Sequence, residues 1–238
     1  MKNLKFERER ILLLSEVASK LILEKIINNE LKPGERLDID QLAQLLEMSR
    51  TPVINALKEL SQKGYVTIHS RSGSYVRAYS RYEMENIFDF REVMERLVVK
   101  KAADLADKNV LKNYKNRFNE LCIKFEENHC NLDDFFKLEM EFHQYLMQLC
   151  PSVISMKLQD LVDLTKRIRK LHLQYLIERR GEKGVTKSEL QIHLKLAEAI
   201  MNKDYQTADQ LILDDISITK LQVLNLYDEI EAFGRLSE

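Results

Sequence analysis

The feature that most constrains this chain is the scarcity of helix breakers after residue 82. From residue 83 to residue 238 there is one proline, Pro151, and three glycines, Gly181, Gly184 and Gly234. Proline removes a backbone donor and glycine loosens the backbone, so a long stretch nearly free of both can stay helical. Apolar residues within it return at helical spacing: Ile87, Phe90, Met94, Leu97, Val98, Ala102 and Leu105 form an amphipathic three-four repeat. Breaks at 107–109, 128–131, 150–151, 181–184 and 202–204 divide the stretch into helices over 83–107, 109–128, 132–149, 152–180, 186–202 and 205–232, with Asp204 placed to cap the last. Helices of this length and pattern predict an all-α bundle of six or seven helices, large enough to enclose a cavity.

The first third is built differently. Pro33, Pro52, Gly34, Gly64 and Gly73 all fall before residue 74, so short elements joined by turns are expected. A helix over 11–30 stops before Lys32-Pro33-Gly34. A short second helix follows, capped by Asp38 or Asp40, with Leu42, Ala43, Leu45 and Leu46 as its apolar face. After the break Glu47 to Arg50, Ser49 can cap a third helix and Pro52 sits in its first turn, where a missing N–H does no harm. Gly64 to His69 and Ser74 to Arg77 are β-rich runs around a turn that ends at Gly73, which predicts a hairpin. Helix, tight turn, helix and hairpin make a winged helix-turn-helix, the arrangement that sets one helix into a major groove. The expected organisation is a winged domain over 1–78, a link over 79–82 and a helical domain over 83–238, in a mainly α protein whose only sheet is a small hairpin wing.

Charge follows the same division. The chain is 45% hydrophobic and 32% charged, which suits a globular protein with a real core and excludes disordered or fibrous classes. The net charge is −1, yet residues 1–78 hold 13 Lys and Arg against 10 Asp and Glu, or +3, which leaves −4 for the remainder. Between residues 48 and 77, Arg50, Lys58, Lys63, Arg71 and Arg77 face one acid, Glu59. A local basic surface on a near-neutral protein is what a DNA-reading module joined to a regulatory domain carries. No apolar run reaches the roughly 18 to 20 residues that span a bilayer, so a cytoplasmic protein without membrane contact is expected. Cys122, Cys130 and Cys150 are odd in number and lack CxxC spacing, which points to neither a disulfide framework nor a thiolate zinc site. Nucleophile elbows, phosphate loops and HExxH are missing, and no cysteine has an evident histidine partner, so an enzyme is not expected.

Leu31-Lys-Pro-Gly-Glu-Arg-Leu37, Leu42-Ala43, Ser49-Arg-Thr-Pro-Val53, Ala56-Leu57, Leu60, Gly64-Tyr65 and Gly73-Ser-Tyr-Val76 stand in an order and spacing that resembles the GntR family of bacterial transcription regulators. The resemblance implies a DNA-binding set of Arg36, Ser49, Arg50, Thr51, Lys58, Arg71 and Gly73. Arg50 would contact a guanine edge with Thr51 on backbone beside it, and Gly73 would let the wing approach the duplex. A bidentate arginine on guanine is worth about 1–3 kcal/mol of discrimination. Arg71, at the hairpin tip, either reaches phosphate or the minor groove or is a solvated turn residue. Two positions depart from the family, which often has arginine where this chain has Asp40 and very often where it has Ile54. An aspartate near phosphate repels it and isoleucine donates no hydrogen bond, which implies an unusual operator or weaker binding.

In the helical region Glu139 and His143 stand four apart, either as two ligands of one metal or as a surface ion pair or satisfied histidine. Thr165, Arg169 and His172 share a helical face that either lines a cavity and clamps a carboxylate or, with the cluster from Lys166 to Lys170, is a solvated basic surface. Arg91 either pairs with Glu95 one turn on or contacts a ligand. Phe90-Arg91-Glu92 with Glu95, Glu139 with Phe142-His143, and His193 followed by Ala199-Ile200, Asp204 and Ala208 resemble FCD, the C-terminal effector domain of FadR-like GntR regulators. In many members an aspartate, a histidine four residues later and two further histidines bind a divalent metal. The resemblance therefore implies a metal (Zn, Mn, Fe or Ni) on Glu139, His143, His193 and Asp215, where Glu139 replaces the aspartate and Asp215 the third histidine. Two imidazoles with two carboxylates are a harder set than three histidines and favour Mn, Fe or Zn, with positions open to water or a ligand.

Together these readings predict a ligand-responsive regulator that binds palindromic operator DNA as a homodimer. One recognition helix supplies too few base contacts to select a site, and two related by a two-fold axis supply enough. The family resemblance implies pairing through the first and fourth helices of the effector domain. A small carboxylate effector would touch Arg91, Thr165, Arg169 and His172. The competing reading is a helical ligand- or metal-binding module whose winged domain has lost specific DNA reading.

Overall fold

The computed structural model of the chain describes residues 2–28, 30–127, 132–150, 153–180 and 187–236; within these, the side chains of 2–8, 132, 154, 167, 171–180 and 229–236 lie outside the described set. The chain divides into two compact units, residues 1–80 and 81–238.

The first unit contains α1 (Lys2–Ile27), β1 (Arg36–Leu37), α2 (Ile39–Leu45), α3 (Arg50–Gln62), β2 (Val66–His69) and β3 (Gly73–Val76). Helix α1 begins at Lys2 rather than at residue 11, because the polar run ahead of Ile11 holds nothing that stops a helix. It packs on α3, and the fully buried Ala18, Ile22 and Ile26 on one and Val53, Ala56 and Leu60 on the other form the core. Burial of each larger aliphatic side chain contributes about 1.5–3 kcal/mol. Asp38, not Asp40, caps α2: its carboxylate accepts from the amides of Asp40 and Gln41 at 2.8 and 3.0 Å. At the other end of α2, Glu47 takes a left-handed φ of 52° and the Met48 amide returns to the Ala43 carbonyl at 2.9 Å, which turns the chain sharply into α3. Ser49 has the extended backbone of an N-cap, but its hydroxyl makes no capping bond.

Strands β2 and β3 form the expected antiparallel hairpin, with Val66 opposite Val76 and His69 opposite Gly73. The sheet has a third member, because β1 pairs with the outer edge of β3 and sets Arg36 opposite Tyr75. A two-residue strand has no periodicity, so nothing in the sequence announces it. Tyr79 donates to the Gly64 carbonyl at 2.7 Å and its ring lies under the Arg77 guanidinium, which ties the chain to the first unit beyond Val76. Helix α4 then starts at Arg81, inside the stretch read as a link.

The second unit is α4 (Arg81–Leu105), α5 (Lys108–Glu126), α6 (Leu132–Gln148), α7 (Val153–Arg180), α8 (Lys187–Met201) and α9 (Tyr205–Leu236). Asp107 caps α5 through the amides of Asn109 and Val110, and Asp204 caps α9 by accepting from the Thr207 amide at 3.1 Å. Helix α4 packs against α6, α7, α8 and α9 and is the centre of the bundle. Its buried face shares only Val98 and Ala102 with the repeat that the sequence pattern suggests. Met84, Phe88, Arg91, Glu95, Val98, Val99, Ala102 and Ala103 point inward, whereas Phe90, Leu97 and Leu105 are 50%, 48% and 60% exposed. The apolar residues of this helix run from the buried face through the half-buried Ile87 and Met94 to the exposed Phe90 and Leu97, and one sequence repeat spans that whole arc. Cys122 and Cys150 are free thiols, and Cys130 lies outside the described residues. Among the described residues no helix is long and apolar enough to cross a membrane.

Candidate metal centre and DNA-reading face

Glu139 and His143 lie one turn apart on α6, His193 sits on α8 and Asp215 on α9, and all four are buried. One ligand atom from each falls within 4.8 Å of every other. The Nε2 atoms of His143 and His193 face each other at 3.3 Å, and Asp215 bridges them, Oδ2 at 3.5 Å from the first and Oδ1 at 3.4 Å from the second. Glu139 Oε1 stands 3.9 Å from His193 Nε2.

The other ring nitrogens decide what these atoms can do. His143 Nδ1 meets Glu95 Oε2 at 3.2 Å, and His193 Nδ1 meets the Glu189 carbonyl at 2.9 Å. A carboxylate and a carbonyl only accept, so in both rings the proton belongs on Nδ1 and the Nε2 lone pair faces inward. Burial, reinforced by the nearby Lys166 charge, pushes the His143 pKa down and favours the neutral ring. Two lone pairs pointed at one another cannot hydrogen bond, but one cation satisfies both. Metal–nitrogen bonds of about 2.1 Å would let one ion reach both atoms across the observed 3.3 Å separation. The residues present therefore fit a divalent metal, and the Glu95 and Glu189 contacts are the kind that orient imidazole ligands.

Around the ligands is a layer of buried ion pairs. Arg169 on α7 donates from Nη1 to Glu139 Oε1 at 2.8 Å, from Nη2 to Glu189 Oε1 at 2.5 Å and from Nε to Gln222 Oε1 at 2.8 Å. Its guanidinium lies over the rings of Phe135 and Phe136. Arg91 donates to Glu95 Oε1 at 2.7 Å and to Thr165 Oγ1 at 2.5 Å. Burial pushes the Glu139 carboxyl up, but the Arg169 and Lys166 charges outweigh it and hold the pKa down at about 2. Glu95 likewise stays at about 2, because Arg91 and His143 overcome its desolvation. Both groups remain carboxylates, as ligands and their supports must.

On the first unit, Arg50 opens α3, and Ile54 and Lys58 follow on the same face, beside the buried stripe of Val53, Leu57 and Leu60. Arg36, Ser49, Arg50, Thr51, Lys58 and Arg71 are all exposed. Asp40 is not a stray negative charge on this face. Released from capping by Asp38, its Oδ1 holds Arg50 Nε at 3.0 Å. Gly73 has a φ of +106°, a conformation that disfavours other residues, and the Arg36 Nε lies 3.6 Å from where its Cβ would be. The wing turn is held by Tyr75, which donates to the Ser72 carbonyl at 2.9 Å.

The profile described as bacterial regulatory proteins, gntR family, matches residues 14–76, and that of the FCD domain matches residues 86–217. The chain belongs to the FCD family of GntR-type transcription regulators. It is similar to the HTH-type transcriptional repressor RspR of Escherichia coli (strain K12), 23% identical over 208 residues, which cover 86% of this chain and 87% of that protein. It is also similar to the uncharacterised HTH-type transcriptional regulator YdhC of Bacillus subtilis (strain 168), 26% identical over 189 residues, 79% of this chain and 81% of that one. Among solved structures, E. coli McbR/YncC shares the fold with a TM-score of 0.72 at 19% identity, over 90% of this chain and 98% of that one. These families and relatives are transcription regulators, not enzymes.

The FCD domain thus brings Glu139, His143, His193 and Asp215 together. It places Thr165 against Arg91 and Arg169 against Glu139, so the face shared by Thr165 and Arg169 is interior. His172 is on α7, but its side chain lies outside the described residues. Lys170 at the end of the basic cluster does reach the surface and pairs with Asp133, whereas Lys166 is buried. Sequence reasoning missed Lys166, Glu189 and Gln222. Glu189 had a signal, since it stands four residues before His193 as Glu139 does before His143; Lys166 and Gln222 had none.

Proposed function

We propose that this regulator binds palindromic operator DNA as a homodimer and changes its DNA affinity when a small carboxylate ligand joins a divalent metal in the FCD domain. The observation that carries the reading is the pair of inward-facing Nε2 lone pairs at 3.3 Å, closed by Asp215 and Glu139. Among Zn, Mn, Fe and Ni, the two-imidazole, two-carboxylate set favours Mn, Fe or Zn. When bound, the metal supplies a positive centre with coordination positions for a carboxylate. The chain's own residues set the tautomers, keep Glu95 and Glu139 ionised and exclude bulk water.

Arg91, Thr165 and Arg169 act through the ligands and their supports in this reading, because the hydrogen bonds described above occupy them; His172 completes the proposed effector set on the same helix. The homodimer forms through α4 and α7, whose surfaces keep Phe90, Val93 and Leu97, and Val153 and Met156, exposed. Exposed apolar residues grouped on one helix face are what a partner covers. The carboxylate shifts the population between two states that differ in DNA affinity, by as much as it binds one better than the other. On the DNA side, Arg50 reads a guanine edge through its Nη atoms while Asp40 fixes Nε; Thr51, Ser49, Lys58, Arg36, Arg71 and the Gly73 backbone contact phosphate or groove.

The test is fluorescence anisotropy at about 150 mM salt against DNA from upstream of the gene and a scrambled duplex, with metal content measured in parallel. His193→Ala is expected to lose metal and effector response while retaining basal DNA binding. Unchanged metal content and response in that variant refute the reading. A second reading, a helical sensor without specific DNA recognition, draws on Ile54 in the middle of the α3 face; equal binding to both duplexes, fading steeply with salt, would favour it.

A further inference from the structure

Every buried Asp, Glu, Lys, Arg and His among the described residues belongs to one cluster: Arg91, Glu95, Glu139, His143, Lys166, Arg169, Glu189, His193 and Asp215. Two of its atoms stand out. The Lys166 ammonium, on a residue only 4% exposed, and Glu139 Oε2 are the buried side-chain polar atoms with no hydrogen-bond partner among the described residues. Lys166 lies between Thr165 and Arg169 on α7; burial, together with the Arg91 charge, pushes its pKa down against the pull of Glu139, Glu95 and Asp215, and it hydrogen bonds to none of them. A buried ammonium is unfavourable unless something satisfies its three donors.

The charge balance indicates what that is. Three cations, Arg91, Lys166 and Arg169, face four carboxylates, Glu95, Glu139, Glu189 and Asp215. With both histidines neutral the cluster carries −1. Asp163 on the preceding turn is only partly buried, accepts from Gln159 and lies within electrostatic reach of Lys166 and Arg91; desolvation pushes its pKa up, toward the neutral acid that adds nothing to this count. A divalent ion at the ligand set turns −1 into +1. With Lys166 protonated this leaves one surplus positive charge, which a single bound anion offsets, and the Lys166 ammonium, without a hydrogen-bond partner among the described residues, has donors available for it. The guanidinium groups are poorer anchors: Arg91 is committed to Glu95 and Thr165, and Arg169 to Glu139, Glu189 and Gln222.

We propose that Lys166 anchors a carboxylate held between its ammonium and the metal position, so that a singly charged group neutralises the loaded site. This rests on the metal reading above and adds to it the residue that selects the ligand's charge. Lysine binds as a compact point charge with rotatable donors, so it accepts a carboxylate whose second oxygen is turned toward a metal.

The full-length protein, stripped of metal and reloaded with Co²⁺, provides the test, because the visible spectrum of Co²⁺ responds to anion coordination. Acetate is the probe and acetamide its neutral counterpart. In the native chain, acetate is expected to shift the cobalt bands in a saturable way and acetamide to leave them unchanged. In Lys166→Met, acetate affinity is expected to fall at least tenfold, while Co²⁺ affinity is retained or rises because a like charge has been removed. Circular dichroism establishes folding, and Lys166→Gln serves as the second variant. Equal acetate affinity in native and variant proteins, or no acetate response in the cobalt-loaded native protein, overturns the anchor. Loss of Co²⁺ from folded variants overturns it too. Failure of the native protein to take up Co²⁺ refutes the metal reading itself, and that result is distinct from the others.

Discussion

Arg50 with Asp40, and Arg169 with Glu139 and Glu189, are the same chemistry in two surroundings. The first pair meets at 3.0 Å with 66% and 68% of its side chains exposed, and the second set meets at 2.8 and 2.5 Å with almost nothing exposed. In water two unit charges 4 Å apart attract by only about 1 kcal/mol, and burial multiplies both that attraction and the cost of losing a partner. The exposed pair can therefore break and re-form with little penalty. The buried set cannot exchange partners cheaply, and for that reason it can hold metal ligands in fixed positions. One unit uses ion pairs as a removable guide, the other as a frame.

The comparison breaks hardest at Arg169. Arg169→Met leaves Glu139 and Glu189 buried without their common partner and is expected to cost about 3–5 kcal/mol of stability, read by denaturant unfolding of the full chain. A loss under about 1 kcal/mol would mean that the frame is not a frame. Metal removal comes next. Saturating the stripped protein with Zn²⁺ or Mn²⁺ at a thousand times Kd should raise unfolding free energy by about 4 kcal/mol, and Asp215→Ala should abolish most of the rise. If the native Tm ignores metal, the inward lone pairs have some other purpose.

The reading face should respond by smaller amounts. Arg50→Ala is expected to remove about 1–3 kcal/mol of preference for the upstream duplex over the scrambled one, with stability unchanged. Asp40→Ala sharpens the contrast most. Its effect on folding should stay within about 1 kcal/mol, as for other exposed pairs, while sequences selected from a random duplex pool lose definition at one base position. Selected sequences identical to the native protein's would show that Asp40 does not position Arg50.

Much of this was legible in the chain. The scarcity of proline and glycine, the helical spacing and the Ser49-Arg-Thr-Pro-Val53 turn announced a winged helix followed by a helical bundle. Glu139 and His143 could be paired by their spacing, since fixed spacing within an element survives folding, and His193 and Asp215 were added by the resemblance to FCD domains. What could not be read was the company each residue keeps. Asp40 looked like a repulsive charge until Asp38 proved to be the cap that released it. Lys166 looked like one base of a solvated run, and Phe90 and Leu97 looked like core.

The sequence by itself determined the helices, the hairpin and the order of the two units, because helical periodicity and turn chemistry are local and act within a few residues. Only the tertiary structure decided which side of α4 is interior, which nitrogen of each histidine is free and which buried cation of α7 has no hydrogen-bond partner among the described residues. Those outcomes depend on contacts between α4, α6, α7, α8 and α9, residues separated by as much as the distance from Glu95 to Asp215, and no local pattern records where such helices meet.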